Sequence, residues 1–368
     1  PKQTWTLTMT GGPDGDVGGN LLRILARDDR KRARVLAIAD GSGCAYDPDG
    51  LNWPELLRLV KHSKPIVEFN ASKITGSGGH VTAATDRASE ELRNTLHTRI
   101  KTDIFVPCGG RPYTINDKNW SALCPNDKPI MRAMVEGANI FITATARNEL
   151  QKRGVLSIKD SSANKCGVIT SSYEILAGLL LNEEEFTNIK KEYVEQVIVK
   201  LHQMVDDEAQ ALLEAWRRRQ QDALLADLSL DFSAEINRLE ALFEPLIATM
   251  IKEGRYSEFW TKQLHDHCPD ILIKKHVKRL AERLPKAHHV AILTKRLASR
   301  MLYREGLTWC RNYVSEHRAS DVLESWLEAF QQVDTFIQKN KKHITDPKIM
   351  EIVSDGTRRE WVRRQLGR

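Results

Sequence analysis

The residues whose types and spacing could do chemistry begin at Met9-Thr10-Gly11-Gly12-Pro13-Asp14-Gly15-Asp16-Val17-Gly18-Gly19-Asn20. This run follows an apolar stretch and opens a helical pattern carrying Leu21, Leu22, Ile24 and Leu25. Glycine at Gly12, Gly15 and Gly18 would let the backbone approach a pyrophosphate that a side chain would hold off. The helix that follows would aim unpaired N–H groups and its positive end, around Asp16 and Val17, at the same phosphates. The spacing, G-x-x-G-x-x-G, is one residue longer than the usual fingerprint, and Asp14 and Asp16 place negative charge beside it. The same residues also read as an ordinary turn. Asp40 adds the second half of the pattern. It closes the apolar run Val35-Leu36-Ala37-Ile38-Ala39, 22 residues beyond Gly18. A carboxylate about 20 residues past such a loop can accept from adenosine ribose hydroxyls and repel a 2′-phosphate. Loop and carboxylate together predict a dinucleotide site favouring NAD over NADP. The alternative is a solvated Asp40 that starts the turn Asp40-Gly41-Ser42-Gly43.

Elements that could position such a site alternate along the first half. Strands are expected at residues 4–10, 35–40, 65–69, 103–107, 133–136 and 155–158, with helices between them, as at 17–27 and 86–98. This alternation predicts an α/β fold, a Rossmann-like, doubly wound, mainly parallel sheet. From Tyr173 onward the pattern is helical: Tyr193, Val197, Leu201, Val205, Ala209, Leu212 and Trp216 step by three or four residues. The expected organisation is a dinucleotide-binding domain over residues 1–172 and an α-helical C-terminal region over 173–368.

Composition sets the outer bounds. With 368 residues, 41% apolar and 28% charged, the chain has the make-up of a globular protein. No apolar run approaches the ~20 residues of a membrane-spanning helix, so no membrane partner is expected. A net charge of +6 suits anionic ligands without implying nucleic acid. The basic runs Trp216-Arg217-Arg218-Arg219 and Arg358…Arg363-Arg364 read as solvated helix faces. Cys44, Cys108, Cys124, Cys166, Cys268 and Cys310 are widely spaced, which points to a reducing, intracellular compartment, cytoplasmic or mitochondrial, and to no metal site. The one metal-like cluster, His265-Asp266-His267-Cys268, lacks a second ligand pair. The chain opens on Pro1 and runs at once into a strand pattern, so a longer natural protein is expected.

Further motifs fall in a fixed order: Asp103-Ile104-Phe105-Val106-Pro107-Cys108-Gly109-Gly110, Val135-Glu136-Gly137-Ala138-Asn139, Gly154-Val155-Leu156-Ser157-Ile158-Lys159-Asp160 and Ala163-Asn164-Lys165-Cys166-Gly167-Val168. Together with Ala39-Asp40-Gly41-Ser42-Gly43, this ordered set resembles the nucleotide domain of glutamate dehydrogenases, above all the large NAD-specific subgroup. The resemblance covers about residues 7–180. It implies that Gly15 and Gly18 meet the pyrophosphate, that Asp40 meets the adenosine ribose, and that Pro107 and Cys108 border the cofactor. It implies that Asn139 and Asn164 bond the nicotinamide end, that Gly167 and Val168 wall the amino-acid pocket, and that Ser171 donates to the distal carboxylate of the substrate.

The implied reaction is NAD-dependent oxidative deamination of L-glutamate to 2-oxoglutarate and ammonia by a homo-oligomeric enzyme. This chain would supply the NAD-binding half. No counterpart of the family's catalytic Lys and Asp occurs here, so those residues are expected upstream of Pro1. Lys165 and Cys166 also depart from the family's usual Ala and Gly.

Plainer readings stand beside these. Asn139 and Asn164 could cap turns, Ser171 could cap a helix beginning near Tyr173, and Glu136 reads as a structural carboxylate accepting backbone hydrogen bonds. Other functions remain open: a leucine, valine or phenylalanine dehydrogenase, or a non-catalytic nucleotide-sensing or helical interaction module.

Overall fold

The computed structural model describes residues 3–218, 224–340 and 342–343. The chain divides into two compact units, Pro1–Lys165 with Gln221–Ser229, and Cys166–Gln220 with Leu230–Arg368.

The first unit is built on a sheet. Its elements run β1 (Trp5–Thr10), α1 (Asp16–Asp28), β2 (Ala33–Asp40), β3 (Gly43–Tyr46), α2 (Trp53–Lys61), β4 (His80–Ala83), α3 (Arg87–Thr95), β5 (Ile104–Pro107), β6 (Ala133–Val135), α4 (Ala144–Lys152), β7 (Leu156–Ile158) and the short α5 (Asp160–Ala163). Among the described residues the strands order as β4-β3-β2-β1-β5-β6-β7. The five from β2 to β7 are parallel, while β3 and β4 run antiparallel at one edge.

β2 is apolar almost throughout, as a strand covered on both faces must be. Val35 and Ile38 join one core with Leu7, Met9, Leu22, Leu56 and Leu59. Leu36 and Ala39 join another with Cys44, Leu96 and Ile100. A third core gathers Phe105, Met134, Phe141 and Leu150 around β5, β6 and α4. Residues 225–229 belong to this unit through bonds of their own. The Ala226 N–H donates to Gln151 at 3.1 Å and the Ser229 hydroxyl meets that of Ser162 at 2.5 Å.

One expected strand is not there. Residues 65–69 form a 3-10 turn, Ile66–Glu68. The sequence pattern is apolar and β-branched, but Pro65 removes one ladder donor and the Ile66 N–H donates to the Asp40 carboxylate at 2.7 Å instead of to a neighbouring strand. Ile66 and Phe69 are still buried, in the core that includes Leu56. The edge is made by β3 and β4, four-residue strands that the sequence reading passes over. The segment from Lys73 to His80 leads into β4, and its Thr75 and Gly76 N–H groups donate to the buried Asp47 at 2.9 and 3.0 Å.

The second unit is helical: α6 (Lys165–Leu180), α7 (Glu183–Arg218), α8 (Leu225–Lys252, from Leu230), α9 (Ser257–His267), α10 (Asp270–Arg283), α11 (Lys286–Glu305), α12 (Leu307–Glu316) and α13 (Ala319–Asn340). Tyr193, Val197 and Leu212 of the α7 stripe are buried, but Val205 is exposed. The Tyr193 hydroxyl donates to the Tyr173 carbonyl at 2.7 Å, and the Tyr173 hydroxyl to the His267 carbonyl at 3.2 Å. His267 stacks on Tyr173 with ring centroids 5.0 Å apart. Burial pushes His267 down to about 4 and, beside it, the Cys268 thiol up to about 12. Cys268 is a core residue, and His267 packs beside it, half-buried by surface area. Among the described residues no cluster of His, Cys, Asp and Glu could hold a metal, and no helix is long and apolar enough to cross a membrane. Arg219 and the basic tail at Arg358, Arg363 and Arg364 lie outside the described residues.

Candidate functional site

The glycine loop leaves β1 and is held in place by main-chain bonds. The Gly11 N–H donates to Ala39 at 2.8 Å, the Cys108 N–H to Thr10 at 2.7 Å, and the Gly15 N–H to Gly12 at 3.1 Å. Three positions demand glycine outright, among them Gly19, where a Cβ would sit 2.7 Å from the Pro13 carbonyl oxygen. Gly11 has φ +88°, and a Cβ there would sit 2.7 Å from the Gly109 nitrogen. At Gly18 a Cβ would sit 2.5 Å from the Gly12 carbonyl oxygen and 2.9 Å from that of Gly11. Gly18 therefore lets α1 pack against its own loop, the part the fingerprint's last glycine plays. It is buried, and this refines the expectation that it meets the pyrophosphate itself. Gly15 caps α1 and, with Asp16 and Val17, is exposed. The first turn of a helix leaves its N–H groups without helical partners, so this end offers donors to an anion.

Asp40 ends β2 directly opposite the loop: a Cβ on Gly12 would lie 2.2 Å from its Oδ2. Its Oδ1 accepts from the Ser42 N–H at 2.8 Å and the Ser42 hydroxyl at 2.5 Å, and its Oδ2 accepts from Ile66. Asp40 thus starts its turn, as the plainer reading has it, and also stands at the loop. Each carboxylate oxygen carries two lone pairs, so holding the turn leaves acceptor capacity on Oδ2.

Across β1, β5 brings up Pro107 and Cys108. Both are buried, and burial pushes the Cys108 thiol up to about 12. That thiol is an apolar wall rather than a nucleophile. The Pro107 carbonyl accepts from the Ala138 N–H at 2.7 Å, and a Cβ on Gly137 would lie 3.1 Å from Val17 Cγ1 and 3.2 Å from the Pro107 oxygen. This seats the loop after β6 against the first turn of α1. Glu136, fully buried, accepts from Arg147 at 2.6 and 2.7 Å and from the Ser157 hydroxyl at 3.1 Å. It is structural, but through side-chain rather than backbone donors. Beyond it the Asn164 amide donates to the Asn139 side-chain carbonyl at 2.8 Å.

Gly12, Gly15, Gly18, Asp40, Pro107, Cys108, Asn139 and Asn164 therefore share the C-terminal edge of the parallel strands, where open α/β sheets bind ligands. Sequence reasoning missed the contacts of Gly11, Gly19, Gly109 and Gly137. The doubled glycines at 11–12, 18–19 and 109–110 were the available signal.

Gly167, Val168 and Ser171 belong to the second unit, early in α6. That helix begins at Lys165, not near Tyr173, so Ser171 cannot be its N-cap. The Ser171 hydroxyl donates back to the Gly167 carbonyl at 3.3 Å on an exposed face, and Val168 is 78% exposed. Cys166 is half-buried, and burial followed by the nearby charge of Glu208 pushes its thiol up.

Comparison with known proteins identifies the family. The family model for Glutamate/Leucine/Phenylalanine/Valine dehydrogenase matches residues 4–226. Glutamate dehydrogenase 2 of Dictyostelium discoideum is 33% identical over 82% of this chain and 30% of its own length. The NAD-specific glutamate dehydrogenases of Neurospora crassa and Saccharomyces cerevisiae are each 33% identical over 81% of this chain, covering 30% and 29% of their own lengths. The chain thus spans about three tenths of these relatives. With the family model matching well over half of the chain, including every strand of the sheet, the chain belongs to the Glutamate/Leucine/Phenylalanine/Valine dehydrogenase family.

Proposed function

We propose that this chain supplies the cofactor-binding half of an NAD-dependent glutamate dehydrogenase. The observation that carries the reading is the meeting of glycine loop, Asp40 and the Asn139–Asn164 pair on one edge of one sheet. The residues present fit a dinucleotide. Glycines keep the loop low, the α1 end offers N–H donors to a pyrophosphate, and Asp40 stands where a ribose diol can donate to it and a 2′-phosphate would be repelled.

A bound nicotinamide would supply the hydride acceptor for the α-carbon of the amino acid, with Asn139 and Asn164 as the residues that would hold its carboxamide end. The task of this chain's residues is placement. The two asparagines have amide groups for this, and the buried Pro107–Cys108 wall keeps water from one side. Holding the reactants in register is itself a large part of such a rate. A base for the amine and an electrophilic Lys belong to the rest of the enzyme. The relatives' names support glutamate over leucine, valine or phenylalanine, with Ser171 the candidate donor to its distal carboxylate. We assign no metal, nucleic-acid or membrane partner, and a homo-oligomer as the working assembly.

Steady-state kinetics on the longer protein that contains this chain test the reading. NAD reduction should be supported by glutamate far better than by leucine, valine or phenylalanine. The chain alone should bind NADH without turnover. Preference for an apolar amino acid would move the enzyme to another branch of the family, and turnover by the isolated chain would overturn the division of labour.

A further inference from the structure

Resting on the cofactor reading above, we infer that Asp160 is a positioning residue for the nicotinamide end of the site: one residue braces Asn139 through its carboxylate and Asn164 through its main chain. Asp160 opens α5, directly after β7, and is 8% exposed. Its Oδ2 accepts the Ile140 N–H at 2.8 Å, and its carbonyl accepts the Asn164 N–H at 2.9 Å. The two asparagines so held are the ones whose side chains bond to each other.

The brace matters because of what Ile140 does. It sits at φ +49°, a left-handed conformation that a β-branched residue strongly resists. Such a conformation persists only where its surroundings over-determine it. Here the Ile140 N–H is taken by Asp160 on one side, and its carbonyl accepts the Tyr113 N–H at 2.8 Å on the other. Ile140 itself is 46% exposed, so packing alone does not fix it. The hydrogen bonds therefore hold the turn that aims Asn139. Burial alone would raise the Asp160 carboxyl, but the Lys159 ammonium and the Ile140 N–H outweigh it and hold the group below the usual carboxylate range.

The loops after β5, β6 and β7 are thereby tied in sequence, Tyr113 to Ile140 and Ile140 to Asp160. Losing Asp160 frees Ile140 to return to an ordinary conformation, which swings Asn139 away from Asn164. The glycine loop and Asp40 lie at the other end of the site and keep their own bonds.

Titration of the whole chain with NADH and, separately, with ADP-ribose tests this, since ADP-ribose has the adenosine and pyrophosphate but no nicotinamide. Asp160→Ala should weaken NADH about tenfold, the scale of one lost hydrogen bond, and leave ADP-ribose within about twofold. Asp160→Asn, whose side-chain carbonyl can still accept from Ile140, should keep NADH close to wild type. Ile140→Gly in the Asp160→Ala background should recover most of the loss, because glycine takes the left-handed conformation without a brace. Equal loss of both ligands, or a lower melting temperature with both affinities unchanged, would make Asp160 merely structural. Failure of Asn or of the glycine rescue would overturn the acceptor role. Failure of the wild-type chain to bind either ligand would instead overturn the cofactor reading and this inference with it.

Discussion

The two units bury polar groups to different ends. In the sheet unit buried carboxylates hold neighbouring segments: Asp47 takes Thr75 and Gly76, Asp160 takes Ile140, Glu136 takes Arg147 of α4, and the half-buried Asp40 takes Ser42 and Ile66. Asp40 and Asp160 do so at the C-terminal edge of the parallel strands, so there these carboxylates shape the candidate site. In the helical unit the buried polar groups serve packing. Tyr193, Tyr173 and His267 form a chain of hydroxyl-to-carbonyl bonds and stacked rings between helices. The first arrangement fixes loops at the candidate site, whereas the second joins helix to helix. That is why chemistry can be argued for one unit and architecture for the other.

The largest effect should come from the buried ion pair of the sheet unit. Arg147→Met leaves the fully buried Glu136 carboxylate with only Ser157, and breaking such a pair costs about 3–5 kcal/mol. Denaturant midpoints with an unchanged slope would measure it, and a loss under about 1 kcal/mol would mean that water or another donor replaces Arg147.

The helical unit should answer to pH through His267. A histidine held neutral to about 4 by burial is a base whose folded pKa lies below its unfolded value of about 6.5. Its contribution is complete above pH 6.5 and is lost as pH falls from there to about 4, because the unfolded chain takes up the proton first. Integrated over that window the loss is about 3 kcal/mol. His267→Phe should flatten the stability profile of that window relative to wild type. An unchanged slope would mean that His267 is not the group responsible. His97, also buried and pushed down to about 4, supplies the same dependence in the sheet unit and should survive the substitution.

Gly18→Ala should come next, at about 1–3 kcal/mol for an overpacked contact, because its Cβ meets the loop's own carbonyl oxygens. Here the two kinds of burial part company: NADH affinity should fall with stability, whereas His267→Phe should leave it alone. The smallest effect belongs to Ser171→Ala. The bond to Gly167 is long and exposed, so the stability change should stay within about 0.5 kcal/mol. Any loss of glutamate use by the longer protein, about ten- to a hundred-fold if Ser171 donates to the distal carboxylate, would then read directly as a substrate contact.

Legibility follows the same divide. The parallel core of the sheet could be read because β2 is apolar on both faces and because the glycine loop and Asp40 keep a fixed interval. The antiparallel edge could not. β3 and β4 are four residues each, too short to show a period, and the more convincing strand pattern at 65–69 yields its Ile66 N–H to Asp40. The start of α6 was misplaced for a related reason: Lys165-Cys166-Gly167-Val168 carries no strong helix signal, and its burial pattern shows only after Tyr173. The pairing of Asn139 with Asn164 was in the motifs, but the brace at Asp160 needs a left-handed Ile140, which no spacing announces.

The most direct measurement for the central claim is calorimetric titration of the chain with NADH and NADPH, repeated on Asp40→Ala. The account predicts tighter binding of NADH. In the variant NADH affinity should fall and much of the discrimination should vanish, since the carboxylate proposed to accept from the ribose and repel a 2′-phosphate is gone. Equal or tighter binding of NADPH by the wild-type chain, with Asp40→Ala leaving NADH affinity unchanged, would contradict it and leave Asp40 as the anchor of the Ser42 and Ile66 turns alone.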